Sequence, residues 1–373
     1  MRVLSLFDGI SCAREALTQA GVRVDAYYAC EVDPNAIRIA MKNYPDTIQL
    51  GDVRELKEPP NSIDLLIGGS PCQDLSIAKK NREGLKGNRS SLVWEYIRIL
   101  RIVRPRWFIL ENVASMPKAD RDIITQEMEV EPVMFNASLV SAQTRKRLFW
   151  TNIRFTLPPD QGILLKNILQ PDTEVDESMT VNGKSFCLTA SYHKVGETQA
   201  EHDHNQSKSQ RTTVFHKTPQ TGRNETKKLG YVGDHDHQGK RVYDDNGKLP
   251  ALNAVCNSMV KLGHLGNSDS QANRIYSPEG KSVTLSANGG GLGAKTGLYE
   301  TEHRVRKLTP IECERLQGLP DNYTEGIAKT NRYKCLGNGF CVPVITHILL
   351  AMKASAAEVL ATLDDSPCAC GGT

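Results

Sequence analysis

The chain has 373 residues, enough for one large domain or two unequal ones. Hydrophobic residues make up 39% and charged residues 24%, ordinary values for a soluble globular protein, with no apolar run near the roughly 20 residues that span a bilayer and no secretory-length apolar core at the N-terminus. The 46 Lys+Arg against 43 Asp+Glu leave a net charge of +3, which excludes a strongly acidic binding protein and is too mild to name a nucleic-acid partner.

Residues 1–156 read as alternating strands and helices. Arg2–Leu6 is a short apolar strand. Ser11–Ala20 is helix-compatible and stops at Gly21. Ala26–Glu31 is a second strand, and Pro34–Asn43 a second helix, with Asp33 as cap and Pro34 in the first turn. Gln49–Leu50 is a short strand ending at Gly51. Ile63–Gly68 is continuously apolar, as a buried parallel strand is. Ser90–Arg101 forms an amphipathic helix, with Leu92, Tyr96, Ile99 and Ile102 at helical spacing. Trp107–Glu111 and Arg147–Asn152 are two later strands. Such alternation predicts a doubly wound α/β sheet.

Residues 157–302 change character, with Gly, Asn, Ser, Thr, His and Lys replacing the apolar runs. Seven of the nine histidines fall here. A loose internal repeat is present: Asn182-Gly183-Lys184 leads to Leu188-Thr189-Ala190, Arg241-Val242-Tyr243 to Leu252-Asn253-Ala254, and Arg274-Ile275-Tyr276 to Leu285-Ser286-Ala287. Each unit resembles a short hairpin, so this insert is expected to be irregular and mostly β. Helical patterning returns over 303–360, with Thr309-Pro310-Ile311-Glu312 as a helix start and an apolar helix over Val342–Lys353. Residues 361–373 read as a disordered tail. The ten cysteines form no disulfide framework, which fits a reducing compartment.

The chemistry-bearing residues stand at strand ends, where open α/β sheets bind ligands. Phe7-Asp8-Gly9-Ile10 makes a turn after the first strand that is neither a Walker A loop nor a G-x-G-x-x-G fingerprint. Glu31 ends the second strand, where a carboxylate accepts ribose hydroxyls, and Asp52 ends the third, within reach of an adenine amino group. Together they indicate a nucleoside-containing cofactor. Cys72 follows a buried strand on the tight Gly68-Gly69-Ser70-Pro71 turn, a setting for a nucleophilic thiolate. Glu111 ends the next strand, placed to share Cys72's pocket, and a carboxyl among apolar neighbours donates a proton readily. Strand alternation puts Arg145 and Arg147 on one face, suited to a carbonyl oxygen or phosphates. The triplets His202–His204 and His235–His237 could hold zinc, but loop histidines without paired cysteines are more often simply solvated, and no metal is expected.

The ordered series Phe7-x-Gly9, Glu31, Asp52, Pro71-Cys72-Gln73, Glu111-Asn112-Val113, Gln143-x-Arg145-x-Arg147, Arg306–Pro320 and Gly337-Asn338 resembles the DNA cytosine-5 methyltransferase family along the whole chain. The early motifs look like the vertebrate de novo branch and the insert like bacterial and phage enzymes. Ser11 and Cys12 stand where the family often has glycine, and Gly339 where it often has serine.

The resemblance implies a Rossmann-like methyltransferase domain (1–156 and 303–360), a target-recognition domain (157–302) and S-adenosylmethionine as cofactor. It implies that Phe7 packs on the adenine, Glu31 holds the ribose, Asp52 and Val53 meet the adenine, and Asn338 lies near the methionine end, with Asp8, Gly9, Ile10, Val32 and Pro71 completing the pocket. Cys72 would attack C6 of a flipped cytosine, Glu111 would engage N3, and Arg147, supported by Arg145, would steady O2. Gln73, Ser76, Lys79, Lys80, Arg82 and Arg89, together with Arg241 and Arg274 in the insert, would contact DNA. The implied partners are double-stranded DNA and, in a restriction-modification setting, a cognate endonuclease. A monomer in the cytoplasm of a bacterial or phage-infected cell is expected, with no membrane. The large insert argues against an RNA-directed enzyme. Retention of Cys72, Glu111, Arg145 and Arg147 argues against a silent regulator.

Overall fold

A computed structural model describes residues 1–71, 92–171, 228–231, 241–243, 259–264, 272–287, 293–301 and 305–364; of 228–231, 241–243, 263–264 and 357–364 it describes the backbone course alone. The described chain divides into two compact units. The first comprises Met1–Ile163, Thr284–Ala287 and the chain from Pro310 onward. The second comprises Leu164–Val283 and Asn288–Thr309.

The first unit is built on a seven-stranded sheet. Its strands are β1 (Arg2–Leu6), β2 (Ala26–Cys30), β3 (Ile48–Gln49), β4 (Leu65–Gly69), β5 (Trp107–Val113), β6 (Val133–Asn136) and β7 (Lys146–Thr151), in spatial order β3-β2-β1-β4-β5-β7-β6. The β3-β2-β1-β4-β5 strands run parallel, and β7 lies antiparallel between β5 and β6. The order reverses at β1, so the crevice beyond β1 and β4 is the topological switch point. Helices must cover both faces of such a sheet, which is why its central strands are apolar on both sides. Val3, Leu4, Leu6, Leu65, Leu66, Ile67, Ile109 and Leu110 are all fully buried.

The early helices follow local signals. In α1 (Cys12–Gln19) the chain stops at Ala20 and turns at Gly21, whose φ is +61°. In α2 (Pro34–Asn43) the Asp33 carboxylate accepts the Asn35 N–H at 2.9 Å, capping the helix as its sequence predicts. The third helix, α3 (Leu92–Val103), buries Val93, Tyr96, Ile97 and Ile99. Ile102 is 51% exposed, so the apolar stripe passes it by. The strand expected at Ile63–Gly68 runs Leu65–Gly69, and the one expected at Gln49–Leu50 runs Ile48–Gln49.

In the first unit three elements carry no clear sequence signal: α4 (Lys118–Met128), β6, and α6 (Lys329–Asn338), which follows α5 (Pro310–Gln317). The last helix, α7 (Val342–Asp364), continues through 361–364, residues read as tail. The chain over Lys329–Ala356 is apolar enough for a membrane span by composition. Its apolarity serves packing instead: Val342, Val344, Ile345, Ile348, Leu349 and Met352 are buried. Cys12, Cys30, Cys313, Cys335 and Cys341 are free and buried.

The second unit holds short strands: a hairpin of β8 (Lys228–Tyr231) with β9 (Arg241–Tyr243), and a four-stranded sheet of β10 (Lys261–His264), β11 (Arg274–Tyr276), β12 (Leu298–Glu300) and β13 (Val305–Arg306). Its backbone is stitched by Leu165 N–H to Gly280 O (3.0 Å) and Lys166 N–H to Pro278 O (2.9 Å).

Candidate active site

The carboxyl ends of β1, β2, β4 and β5 lie along one sheet edge. Because β7 runs the other way, its amino end meets the same edge, with Arg147 opposite Val113 in register. Glu111 and Arg147 therefore converge. The Arg147 Nε lies 2.8 Å from Glu111 Oε1, and both side chains are largely buried. This corrects the expectation that Glu111 stands among apolar groups: its nearest charged neighbour is a guanidinium.

Gly69 is the register partner of Glu111. A Cβ there would lie 2.7 Å from the Phe340 ring and 3.1 Å from Glu111 Oε2. Glycine leaves the room that the carboxylate and the ring share. Phe340 itself carried no signal in the sequence beyond being apolar.

The next two residues lead to Cys72. Asn112 is fully buried, and its Nδ2 donates to Ser70 Oγ at 2.9 Å, while its Oδ1 accepts the Val113 N–H at 2.8 Å. Asn112 thus ties Ser70, two residues before Cys72 in sequence, to the strand that carries Glu111. Sequence reasoning quoted Asn112 within a motif but gave it no task. Cys72 lies outside the described residues, as do Gln73, Ser76, Lys79, Lys80, Arg82, Arg89 and both His-Asp-His triplets.

Arg145 lines the same pocket as Arg147 and Glu111 but has different partners. It is 4% exposed, and its guanidinium donates to Gly339 O at 3.0 Å, Gly337 O at 3.3 Å and Leu285 O at 3.4 Å. Thr284 Oγ1 donates to the neighbouring Thr144 O. A Cβ on Gly337 would lie 2.4 Å from the Ala287 backbone nitrogen, so glycine is required where this stretch packs on α6. Arg145 is thereby a clasp on the backbone around Asn338, which is itself exposed at the end of α6.

Around β1 and β2 the edge is rich in acceptors. Phe7 and Ser11 take left-handed φ values of 58° and 60°, strain that a tight turn must hold. Asp8 closes that turn from inside: Ser11 Oγ (2.6 Å) and Tyr27 OH (2.7 Å) donate to it, and burial pushes its carboxyl above the usual range. Ile10 is fully buried. Asp8 and Ile10 therefore shape the turn from beneath it. Glu31 accepts the Gly9 N–H at 2.8 Å and the Val32 and Asp33 N–H groups at 2.7 and 2.8 Å. Val32 is 66% exposed beside it, an apolar surface left open. Asp52 accepts the Arg54 N–H at 3.0 Å, and the Arg54 guanidinium beside it holds its carboxyl below the usual range. Val53 is buried, and its carbonyl accepts from Arg98 at 3.0 Å. Lys334 on α6 reaches Asp33 Oδ2 at 2.6 Å, joining that helix to the cap of α2. Pro71 is half-buried at the rim. In the second unit Arg274 is half-buried on β11, and Arg241 lies on β9.

A family model described as C-5 cytosine-specific DNA methylase matches residues 1–354. The chain is 27% identical to the type II methyltransferase M.HhaI of Haemophilus parahaemolyticus, over 95% of each protein. It is 24% identical to the orphan methyltransferase M.SPRI of Bacillus phage SPR, over 93% of this chain and 96% of that one. Among solved structures, the Entamoeba histolytica methyltransferase EhMeth superposes with a TM-score of 0.60 at 12% identity, covering 95% of this chain and 98% of that one. A putative DNA modification methyltransferase from an Escherichia coli prophage superposes with a TM-score of 0.54 at 17% identity, covering 96% and 99%. These likenesses carry the fold.

Proposed function

The chain belongs to the C-5 cytosine-specific DNA methylase family, and on that premise we propose how its residues divide the work. It is a DNA cytosine-5 methyltransferase, and the family's methyl donor is S-adenosylmethionine. The donor set at the sheet edge fits that group. Glu31, which accepts three backbone N–H groups, and Asp52, held by the Arg54 guanidinium, would use their remaining acceptor capacity for the ligand's ribose hydroxyls and adenine amino group, and the half-buried Phe7 and exposed Val32 would offer apolar surface. Val53 and Pro71 would line the pocket, Gly9 and Ile10 would form its floor, and Asn338 would meet the methionine end. When bound, the cofactor supplies an electrophilic methyl group.

The remaining work falls to the chain. The Cys72 thiolate adds to C6 of the target cytosine. Glu111 gives a hydrogen bond or a proton to N3, where negative charge develops, and Arg147 steadies the O2 carbonyl. Addition turns C5 into an enamine carbon, which is nucleophilic. Loss of the C5 proton after methylation expels Cys72 and restores the ring. C6 is out of reach in a stacked duplex, so the base must leave the helix. Gln73, Ser76, Lys79, Lys80, Arg82 and Arg89 would contact DNA beside the site, and Arg145 holds the backbone that carries Asn338. The observation that carries this reading is the Glu111–Arg147 pair beside the turn that Asn112 ties.

The first unit is the catalytic domain on this reading and the second the target-recognition domain. The enzyme acts as a monomer in the cytoplasm of a bacterial or phage-infected cell, with double-stranded DNA as substrate and a cognate endonuclease as a partner in restriction-modification. The test is transfer of labelled methyl groups to unmethylated DNA by wild type and Cys72→Ser, with transfer RNA as a second substrate and bisulfite mapping of the product. Label in DNA that disappears with Cys72→Ser supports the assignment. Label in RNA alone moves the substrate, and full activity in Cys72→Ser overturns the nucleophile.

A further inference from the structure

The second unit contains the same hairpin twice. Residues 228–254 and 261–287 align without a gap at a 33-residue interval, with 12 of 27 positions identical. The shared residues include Lys228-Leu229-Gly230 with Lys261-Leu262-Gly263, Arg241 with Arg274, and Tyr243 with Tyr276.

The backbone repeats with the sequence. In the first copy Lys228 pairs with Tyr243, Gly230 with Val242 and Tyr231 with Arg241. In the second, Lys261 pairs with Tyr276, Gly263 with Ile275 and His264 with Arg274. The register slips at the same place in both, between the lysine and the glycine. The two hairpins therefore share their pairing and its irregularity. Nine residues join the strands in each copy, and the arginine is the strand residue next to that connection.

We infer that the two hairpins are equivalent DNA-reading elements, and that Arg241 and Arg274 are equivalent contacts, each bringing one guanidinium to the duplex. This rests on the reading of the second unit as the target-recognition domain. A two-stranded ribbon fits the major groove, and arginine is the side chain most often used on a guanine edge there. It also serves phosphates. An arginine kept next to the connection in both copies, while the sequence between the strands diverges, marks a shared contact on a variable reader.

The experiment measures duplex binding and methylation for Arg241→Gln, Arg274→Gln, the double variant and the two lysine variants, with cofactor binding by calorimetry as the check on folding. The DNA is the duplex methylated by the wild type, its sites found by bisulfite mapping. Each glutamine variant is expected to weaken binding about tenfold, by matching factors that multiply in the double variant, with cofactor affinity unchanged. Recovery by lysine together with a shallower salt dependence in the glutamine variants assigns the contact to phosphate. Failure of lysine to recover, with relaxed choice at one base, assigns it to guanine. If a glutamine variant does not bind cofactor, its lysine variant decides the comparison. Normal binding by either variant overturns the equivalence. A wild type that neither binds nor methylates duplex DNA would instead overturn the functional reading beneath it.

Discussion

The two units solve different problems and show it in their construction. In the first, Glu111 and Arg147 sit at the ends of buried strands, so their positions are inherited from a packed sheet. Glu111 faces Arg147 because β5 and β7 pair in one register. In the second, strands are two to four residues long and the same ribbon is used twice. Chemistry needs fixed distances, which a packed sheet provides. If the second unit reads the target, as proposed, it needs exchangeable contacts, which short hairpins provide. Substitutions in the first unit should therefore strike rate, and those in the second affinity.

Cys72→Ser tests this contrast most harshly. Methyl transfer should fall by at least about a thousandfold while cofactor binding stays at the wild-type level; retained turnover would break the assignment. Glu111→Gln and Arg147→Met should each lower kcat by about 10²–10⁴ with little change in the KM for DNA, and Arg147→Lys should recover part of the Arg147 loss. A rise in KM alone would place these residues with the binding surface.

Gly337→Ala and Asn112→Ala probe support rather than chemistry. The added methyl meets the Ala287 backbone, and the lost amide leaves Ser70 untied, so each should cost about 1–3 kcal/mol in denaturant unfolding. Unchanged stability in Gly337→Ala would show that the Thr284–Ala287 stretch gives way. The smallest effect concerns pH. Asp52 has a depressed pKa, so its ionised form stabilises the fold above the ordinary carboxylate value and is lost only as pH falls through a still lower one. Asp52→Asn should therefore weaken cofactor binding by the same factor at pH 6 and pH 8. A factor that shrinks toward pH 6 would mean that Asp52 titrates there.

Much of the first unit was legible in the sequence because buried parallel strands are written as unbroken apolar runs. Leu65–Gly69 and Trp107–Val113 announce themselves within a residue or two, and whatever follows them must lie at the sheet edge. Asp33-Pro34 marked α2 because capping is a local act. Helix α4 and strand β6 were not legible. Lys118–Met128 buries just Ile124 and Met128 along its length, and in β6 Phe135 alone is buried, so neither shows a strong period.

Residue type and chain order alone determined the fold class, the acidic ends of β2 and β3 and the place of Cys72 and Glu111 after two buried strands; the pairing of Glu111's strand with the one that carries Arg147 came from the structure. Nor could residue type and order tell Arg145 from Arg147, since alternation gives both one face. Tertiary structure separated them by partner: Arg145 meets three backbone carbonyls far away in sequence, and Arg147 meets the Glu111 carboxylate. The placement of Leu285–Ala287 on α6, the room at Gly69 and the clasp of Asn112 on Ser70 were decided in the same way. Each depends on which backbone atoms come within a few ångströms of one another, and long-range packing alone determines that.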